Sequence, residues 1–518
     1  MTSTVSTSAP SDRRPPSASA SVRAALRTPE VAAGLLALAL GLLHLWLAYP
    51  SGTDLAAQQA RASFAEDHPW TPVDLSWYGG VHQYGYSLLS PWVMAALGVG
   101  LSGLLAAVAA AVLLARLLRR TARPLAGALA GAVFSVADVV SGRTTFALGA
   151  VAALAALVLL PRRVPAAAAA ALSGMLSPVA AAFLGLAAAV LVLRRLPGGW
   201  TTGLAASIPV GVLAVLFPSG GVQPYETRSA WYAVLAGLVL AALTHSPSIR
   251  LGAVLYALAA AVLLLVSDPF GSNILRLGLL VAAPLVLATA TEHVRVVVPV
   301  TAALVLWQAQ PALSDLASRG APPFDDLNAA LVALDAKRVE VVPLRDHEEA
   351  AQVAPVVPLA RGWSRQEDTV RNPLFYEGNL SAERFEQWLL DEGVDHVALA
   401  PSARVDGGGR AERALLLVGS VPGLRLRYSD DHWLVWRFEP AEALAPPPAR
   451  VLDTDRTRVV LFSEGAGDVP LKVRWSRWLT VSGPACIERD GETTRLRLQG
   501  PGRVVVSSAL RTDDRGHC

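Results

Sequence analysis

The sequence predicts a polytopic α-helical membrane domain of about eleven transmembrane helices, followed by an exported α/β module and a small β-sandwich. Three observations predict it. Apolar runs fill residues 31–310 and thin out beyond them, in a chain of 518 residues that is 53% hydrophobic and only 16% charged. A soluble domain carries about a quarter charged residues. Arginines cluster in alternate connections between the apolar runs, the pattern left by the positive-inside bias. Near Gln310 the composition breaks, and the remainder alternates strand-like and helix-like patterns.

The elements follow in order. Residues 1–30 are rich in Ser, Thr, Ala, Pro and Arg and read as a disordered cytoplasmic tail. Arg13, Arg14, Arg23 and Arg27 precede the first run, Val31–Tyr49, which is too long for a signal-peptide core and has no clear small-x-small site after it. It is expected to be a retained anchor, with the N-terminus inside. A long first outer loop follows at residues 50–90. The next run, Met94–Leu114, ends at Arg116, Arg119, Arg120 and Arg123. Runs ending at Arg162 and Arg163, at Arg194 and Arg195, and at His293 and Arg295 keep the alternation, and a last run leaves residues 311–518 outside. The hairpin around Ser177-Pro178 is short for two spans and could be re-entrant.

Residues 311–444 are expected to form the exported α/β domain and residues 445–518 the exported β-rich domain. Arg338–Pro343 and Val394–Ala400 read as strands, Ala382–Leu390 and Ala411–Leu417 as helices, and Leu424–Tyr428 with Trp433–Phe438 as a hairpin. Ala445-Pro446-Pro447-Pro448 reads as a linker. The formal net charge of +3 does not suggest a nucleic-acid partner. Two cysteines, Cys486 and Cys518, are too few for a disulfide framework, but an exported tail allows one bridge between them.

The first outer loop is the most informative segment. Asp54 is expected about one helical turn past the membrane edge, where a carboxylate can act as a general base toward a lipid-linked substrate. As a loop residue, Asp54 should cost no more than roughly 0.5 kcal/mol of stability when replaced by Asn, with Asp74 as a neutral control. Trp77, Tyr78, His82 and Tyr86 are candidate substrate-binding residues, because Tyr and Trp favour the interfacial layer and stack on sugar rings. The competing reading is a solvated acidic loop with an aromatic belt. Asp138, Arg143, Asp268, Asn273 and Arg276 fall at or near outer helix ends, where Arg143 and Arg276 could clamp a lipid phosphate bidentately, with Asn273 beside them. Snorkelling or mutual Asp–Arg pairing would explain the same residues. In the tail, Arg361, Arg365 and Asp368 flank Trp363 and could bind an acceptor if that loop folds back onto the membrane face. A structural ion-pair cluster explains them as well. Asp453-Thr454-Asp455 has the D-x-D spacing of nucleotide-sugar transferases but sits in an expected exported linker, and it is discounted. No Walker loop, zinc motif or nucleophile elbow is present.

An acidic residue just after helix one, a long first outer loop, about eleven helices and an exported C-terminal region resemble the GT-C superfamily of polyprenyl-phosphate-sugar-dependent glycosyltransferases. More narrowly, the chain resembles a group of actinobacterial membrane proteins. The segments carrying that likeness are Trp77-Tyr78-Gly79-Gly80 through Pro91, Gly142-Arg143-Thr144-Thr145-Phe146, Gly271-Ser272-Asn273 to Arg276, and Ala360 to Asp368. The resemblance implies a GT-C-like fold and a catalytic base at Asp54. It also implies a polyprenyl-phosphate sugar donor and an envelope glycan acceptor at the outer face of the cell membrane. Some GT-C enzymes carry a second acidic residue beside the base, and this chain does not. No cofactor or metal ligand is expected, with a divalent metal left open. The alternatives are a secondary transporter and a non-catalytic scaffold of the same fold. A transporter calls for ionisable residues near the midplane and internal repeats, and the polar groups here gather at the outer edge instead.

Overall fold

The computed structural model describes residues 28–317, 320–441, 444–510 and 516–518. The tail expected at residues 1–30, with Arg13, Arg14, Arg23 and Arg27, lies outside the described residues up to residue 27.

Five helical segments are long and apolar enough to cross a membrane: α1 (Pro29–Leu47), α4 (Val99–Leu118), α9 (Gly199–Leu216), Gly271–Thr289 and α13 (Val294–Leu316). The fourth of these joins a 3-10 turn to α12 (Leu275–Thr289). Six shorter apolar helices pack among them: α5 (Pro124–Val140), α6 (Thr144–Val158), α7 (Arg163–Leu176), α8 (Pro178–Leu193), α10 (Thr227–Leu243) and α11 (Pro247–Val262). At 1.5 Å per residue a helix such as α7 is only about 21 Å long, against about 30 Å of hydrocarbon. The single run expected at Met94–Leu114 is instead two helices, α3 (Ser90–Leu97) and α4. They are separated at Gly98, whose φ of 79° is open to glycine and strains other residues.

Small residues set the helix contacts. Ala33, Ala37 and Gly41 of α1 face α4, and a Cβ on Gly41 would fall 2.4 Å from Leu104. Such faces let backbones approach where the hydrophobic effect offers no drive. The exposed arginines Arg119, Arg120, Arg123, Arg162, Arg163, Arg194, Arg195 and Arg295 lie in the connections or the first helical residues at one end of the bundle. At the other end the α7–α8 corner is capped by protein. Leu88 and Leu89 donate their amides to Met175, and the Ser87 and Ser90 hydroxyls donate to Leu176. These bonds satisfy carbonyls that a helix end otherwise leaves orphaned.

The segment expected to be a long outer loop at 50–90, with a solvated acidic loop as the competing reading, is mostly buried. It contains α2 (Leu55–Asp67) and the short pair β1 (Val73–Asp74) and β2 (Val81–His82). The sequence LAAQQARASFAED is rich in good helix formers and lacks Gly and Pro, which is why it coils. Val73 and Leu75 enter one C-terminal core, while Trp77 and Tyr78 enter another.

The C-terminal region is rich in strands. β3 (Val339–Val341) and β4 (His396–Leu399) pair in parallel, and β6 (Leu434–Phe438) and β5 (Leu424–Ser429) extend the sheet antiparallel, in the order β3-β4-β6-β5. Strand β4 is buried along its whole length, with Ala398 contributing to one core and Val397 and Leu399 to another. Helices α14 (Asp325–Ala333), α15 (Glu349–Gln352), α16 (Arg365–Arg371), α17 (Ala382–Glu392) and α18 (Arg410–Val418) accompany that sheet. Beyond it, β7 (Ala449–Thr454), β8 (Val459–Ser463), β13 (Gly502–Ser508) and β10 (Leu479–Ser482) form one antiparallel sheet in the order β10-β13-β8-β7. β9 (Gly467–Arg474), β12 (Thr493–Leu498) and β11 (Ala485–Asp490) form a second, and the two share one core.

Two local expectations change. The Ala445–Pro448 stretch is no free linker, since Ala445 is wholly buried in that shared core. Asp453 lies on edge strand β7, and Asp455 is engaged by Thr457 and Arg458 in the turn that follows. Cys486 and Cys518 are joined by a disulfide.

Candidate functional site

Two glycines fix where Asp54 sits. Gly52 has φ of 111° and Gly142 has φ of 77°. A Cβ on Gly142 would lie 2.3 Å from the Leu55 nitrogen, and one on Gly52 would lie 2.4 Å from the Ser141 carbonyl carbon. The turn after α1 therefore rests directly on the turn between α5 and α6. The Asp54 amide donates to Ser141 O at 3.4 Å, and the Ser51 hydroxyl to Val140 O at 3.3 Å.

This contact brings the Asp54 carboxylate to Arg143, whose Nε is 3.7 Å from Oδ2. Arg276 arrives from the first turn of α12 and donates through Nη2 to the same oxygen at 2.9 Å. Arg143 Nη1 is also 3.6 Å from Asp138 Oδ1. Of the four side chains Asp54 is the most accessible, at 27% exposure, so it stays reachable from outside the cluster. Mutual Asp–Arg pairing is thus one role these residues play. The estimate that Asp54→Asn costs no more than about 0.5 kcal/mol assumed a free loop residue. Unpairing two half-buried arginines costs more, about 1–3 kcal/mol.

Two cavities adjoin this cluster, and a third lies farther along the first loop. The Arg276 guanidinium lies 5.7 Å over the Phe146 ring. Phe146 also lines an apolar cavity of about 460 Å³ between the helices, which reaches Leu160 and Ser248 near the arginine-rich end. A cavity of about 330 Å³ is lined by Thr53 and Leu55, which flank Asp54, and by Tyr49, Asp315, Asp346 and Glu348. A third, of about 190 Å³, is lined by Trp77, His82 and Tyr86 from the first loop and by residues of the C-terminal region.

The other candidates divide. Trp77 is buried and donates Nε1 to Ala350 O at 3.2 Å. Tyr78 is also buried and donates its hydroxyl to Gly362 O at 2.8 Å. His82 is held by Pro218 O and the Ser476 hydroxyl, each at 2.9 Å. Asn273 is half-buried in the 3-10 turn before Arg276. Helix α16 does rest on the connection between α9 and α10, with Val222 donating to Gln366 O at 3.1 Å and the Thr369 hydroxyl to Val222 O at 2.9 Å. Its arginine neighbours are engaged elsewhere, however. Arg365 bonds Asp406 at 2.7 Å and the Tyr376 hydroxyl at 3.0 Å. Arg361 is buried between Glu340, at 2.5 Å, and Glu412, against the Phe375 ring. That is the structural ion-pair cluster. Asp74 is likewise no neutral control, because it is buried and accepts from the Ser76 amide at 2.9 Å and from the Ser76 hydroxyl.

Sequence reasoning missed Asp315, Arg61 and Gln83. Asp315 ends α13, where the helix dipole disfavours an acid, and that misfit was a readable signal. Arg61 and Gln83 carry no such signal. Among the described residues no group of three or more His, Cys, Asp or Glu side chains could hold a metal ion. No protein-family model matches the chain, and no curated protein matches it either.

The Arg361 cluster generates a prediction. Burial pushes the Glu340 carboxyl up to about 7 and Glu412 well above its ordinary range, because one guanidinium cannot compensate two buried carboxylates. Their contribution to stability is full below the ordinary value of 4.5 and is lost as pH rises, for Glu340 through about 7. His347, pushed by burial to about 3, works in the opposite sense, so the readable quantity is a difference between variant and parent. Glu412→Gln should match the parent near pH 5. It should be more stable than the parent at pH 8, where the parent must carry a second buried carboxylate on one guanidinium. Thermal melts of both proteins at the two pH values check this.

Proposed function

We propose that this chain is a membrane glycosyltransferase of the GT-C kind. It would use a polyprenyl-phosphate-linked sugar at the outer face of the cell membrane to assemble an envelope glycan. One observation carries the reading: a reachable carboxylate, Asp54, is held by two arginines beside a long apolar cavity. A polyprenyl phosphate is an oxyanion on a long hydrocarbon, and that pairing of charge and apolar space suits it. Arginine is well matched to phosphate because its planar fork donates in pairs.

In this reading the lipid phosphate takes up Arg276 and Arg143 and releases Asp54 from its ion pair. Asp54 accepts the proton of the acceptor hydroxyl. That oxygen bonds to the anomeric carbon as the bond from carbon to phosphate oxygen breaks, and the lipid phosphate leaves on the arginines. The leaving group is already a phosphate, so no strong general acid is needed. The cavity lined by Thr53, Tyr49 and Glu348 would admit a hydroxylated acceptor from the polar side.

The proposed topology has eleven spans, the five long segments and the six shorter ones, with the arginine-rich end cytoplasmic. The capped α7–α8 corner lets short helices end beneath protein rather than lipid. A disulfide between Cys486 and Cys518 fits an oxidising outer compartment. Because both native cysteines are bridged, single-cysteine labelling tests the orientation cleanly. An impermeant maleimide should label Ser402→Cys in intact cells and Arg163→Cys only after permeabilisation. The reverse result contradicts the topology.

The catalytic assignment is tested by Asp54→Asn in cells that depend on the variant copy. Loss of a general base typically lowers a rate by roughly 10²–10⁴. Glycan transfer should therefore collapse while the protein still accumulates in the membrane, and exposed Glu66→Gln should behave as the parent. A normal glycan profile at parental expression would remove Asp54 as the base. Failure to accumulate would assign it a purely structural role.

A further inference from the structure

We infer a second ligand site, separate from Asp54: the cavity of about 190 Å³ between the first loop and the C-terminal region binds a small anionic sugar, one that carries a carboxylate or phosphate on a hydroxylated ring. Four chain segments build it, namely residues 61–86, the connection at Pro218-Ser219, the start of α16 and the end of β9.

Arg61 carries the argument. It projects from α2 into this lining, and among the described residues its guanidinium makes no ion pair or hydrogen bond. Its contacts are two aromatic faces, Tyr86 at 4.2 Å and Trp77 at 5.9 Å. Burial lowers its pKa, the mark of a cation without enough local compensation. The other cations of the lining are already matched, while Asp74 makes no ion pair among the described residues. Glu367 pairs with Arg371 at 2.8 Å, and Arg474 pairs with Glu492 at 2.8 Å and with Glu392 at 3.3 Å. Asp74 accepts from the Ser76 amide and hydroxyl. One arginine fork with five donors is left to be satisfied, and an oxyanion satisfies it.

A second observation points to the rest of the ligand. Gln83 lines the same cavity and is buried, and neither its amide nitrogen nor its amide oxygen has a partner. Buried polar atoms are paired in nearly all proteins, so an orphaned donor and acceptor on one side chain fit a ligand that offers both once the amide turns into the cavity. Hydroxyl groups do. Trp77, Tyr86 and Trp475 supply aromatic walls of the kind that pack on sugar rings. The unmatched cation selects an anion, the orphaned amide selects hydroxyls, and the modest volume selects a single ring.

Calorimetry on the purified full chain in nanodiscs tests the site directly and does not depend on whether Asp54 transfers anything. The probes are glucuronate, glucose 1-phosphate, glucose and inorganic phosphate. Binding of glucuronate or glucose 1-phosphate, with glucose and inorganic phosphate at least about tenfold weaker, is the expected result, and the stronger of the two identifies the anion. Arg61→Gln should weaken that probe by about tenfold or more. Gln83→Glu, which places a negative charge in the cavity without removing Arg61, should weaken it as well. Unliganded melting temperatures report whether each variant is folded. Binding of neither sugar anion, equal binding of glucose or of bare phosphate, or undiminished binding by a folded Gln83→Glu or Arg61→Gln variant would each overturn the proposal.

Discussion

Everything at the functional end of the molecule depends on how one carboxylate is held. Asp54, immediately before α2, meets Arg143 and Arg276, residues far away in sequence, at 3.7 and 2.9 Å. The meeting is made possible by backbone rather than by side chains, since Gly52 and Gly142 let two turns touch where any Cβ would collide. Partly buried charges of this kind are tolerable only as a set. Removing one partner from a fully buried pair costs about 3–5 kcal/mol, and these half-buried groups sit below that limit. The cluster therefore pins α1, the α5–α6 turn and the start of α12 together, and it sets the direction in which the first loop departs.

The path of that loop then organises the C-terminal region. Residues 73–78 pass from one core to another, with Val73 and Leu75 packing into the pair of antiparallel sheets and Trp77 and Tyr78 into the core beside β3 and β4. Gly362 lies so close to the Trp77 ring that a Cβ there would sit 2.3 Å from it. A segment between two apolar helices thus becomes shared core for everything that follows. The cavities near Asp54 and Arg61 exist because this segment, the bundle end and the C-terminal region meet around it.

Much of the fold was legible in the sequence. Strands expected at Val394–Ala400 and Leu424–Tyr428 appear at His396–Leu399 and Leu424–Ser429, and the helix expected at Ala382–Leu390 runs over Ala382–Glu392. Strong local patterns, with Ser381 capping the helix and Gly393 ending it, explain that agreement. The break at Gly98 was missed because its neighbours are uniformly apolar and hide the interruption. The burial of residues 50–90 was missed because polar and aromatic composition reads as solvated when the covering elements lie hundreds of residues away. For the site, Asp54, Arg143 and Arg276 could each be picked out as ionisable residues near helix ends, but their meeting is a tertiary fact that no spacing encodes. Arg361 illustrates the same limit: an ion-pair cluster was one of its two readings, but its partners Glu340 and Glu412 lie 21 and 51 residues away and no local pattern names them.

The central claim is that Arg276 and Arg143, with the apolar cavity beside Phe146, form a seat for a lipid phosphate. The most direct measurement is equilibrium binding of a radiolabelled short-chain prenyl phosphate to the full chain in nanodiscs, comparing the parent with Arg276→Gln. The account predicts saturable binding by the parent and an affinity at least about tenfold lower in the folded variant, a loss of roughly 1.4 kcal/mol or more. Equal affinity in the two proteins would contradict it.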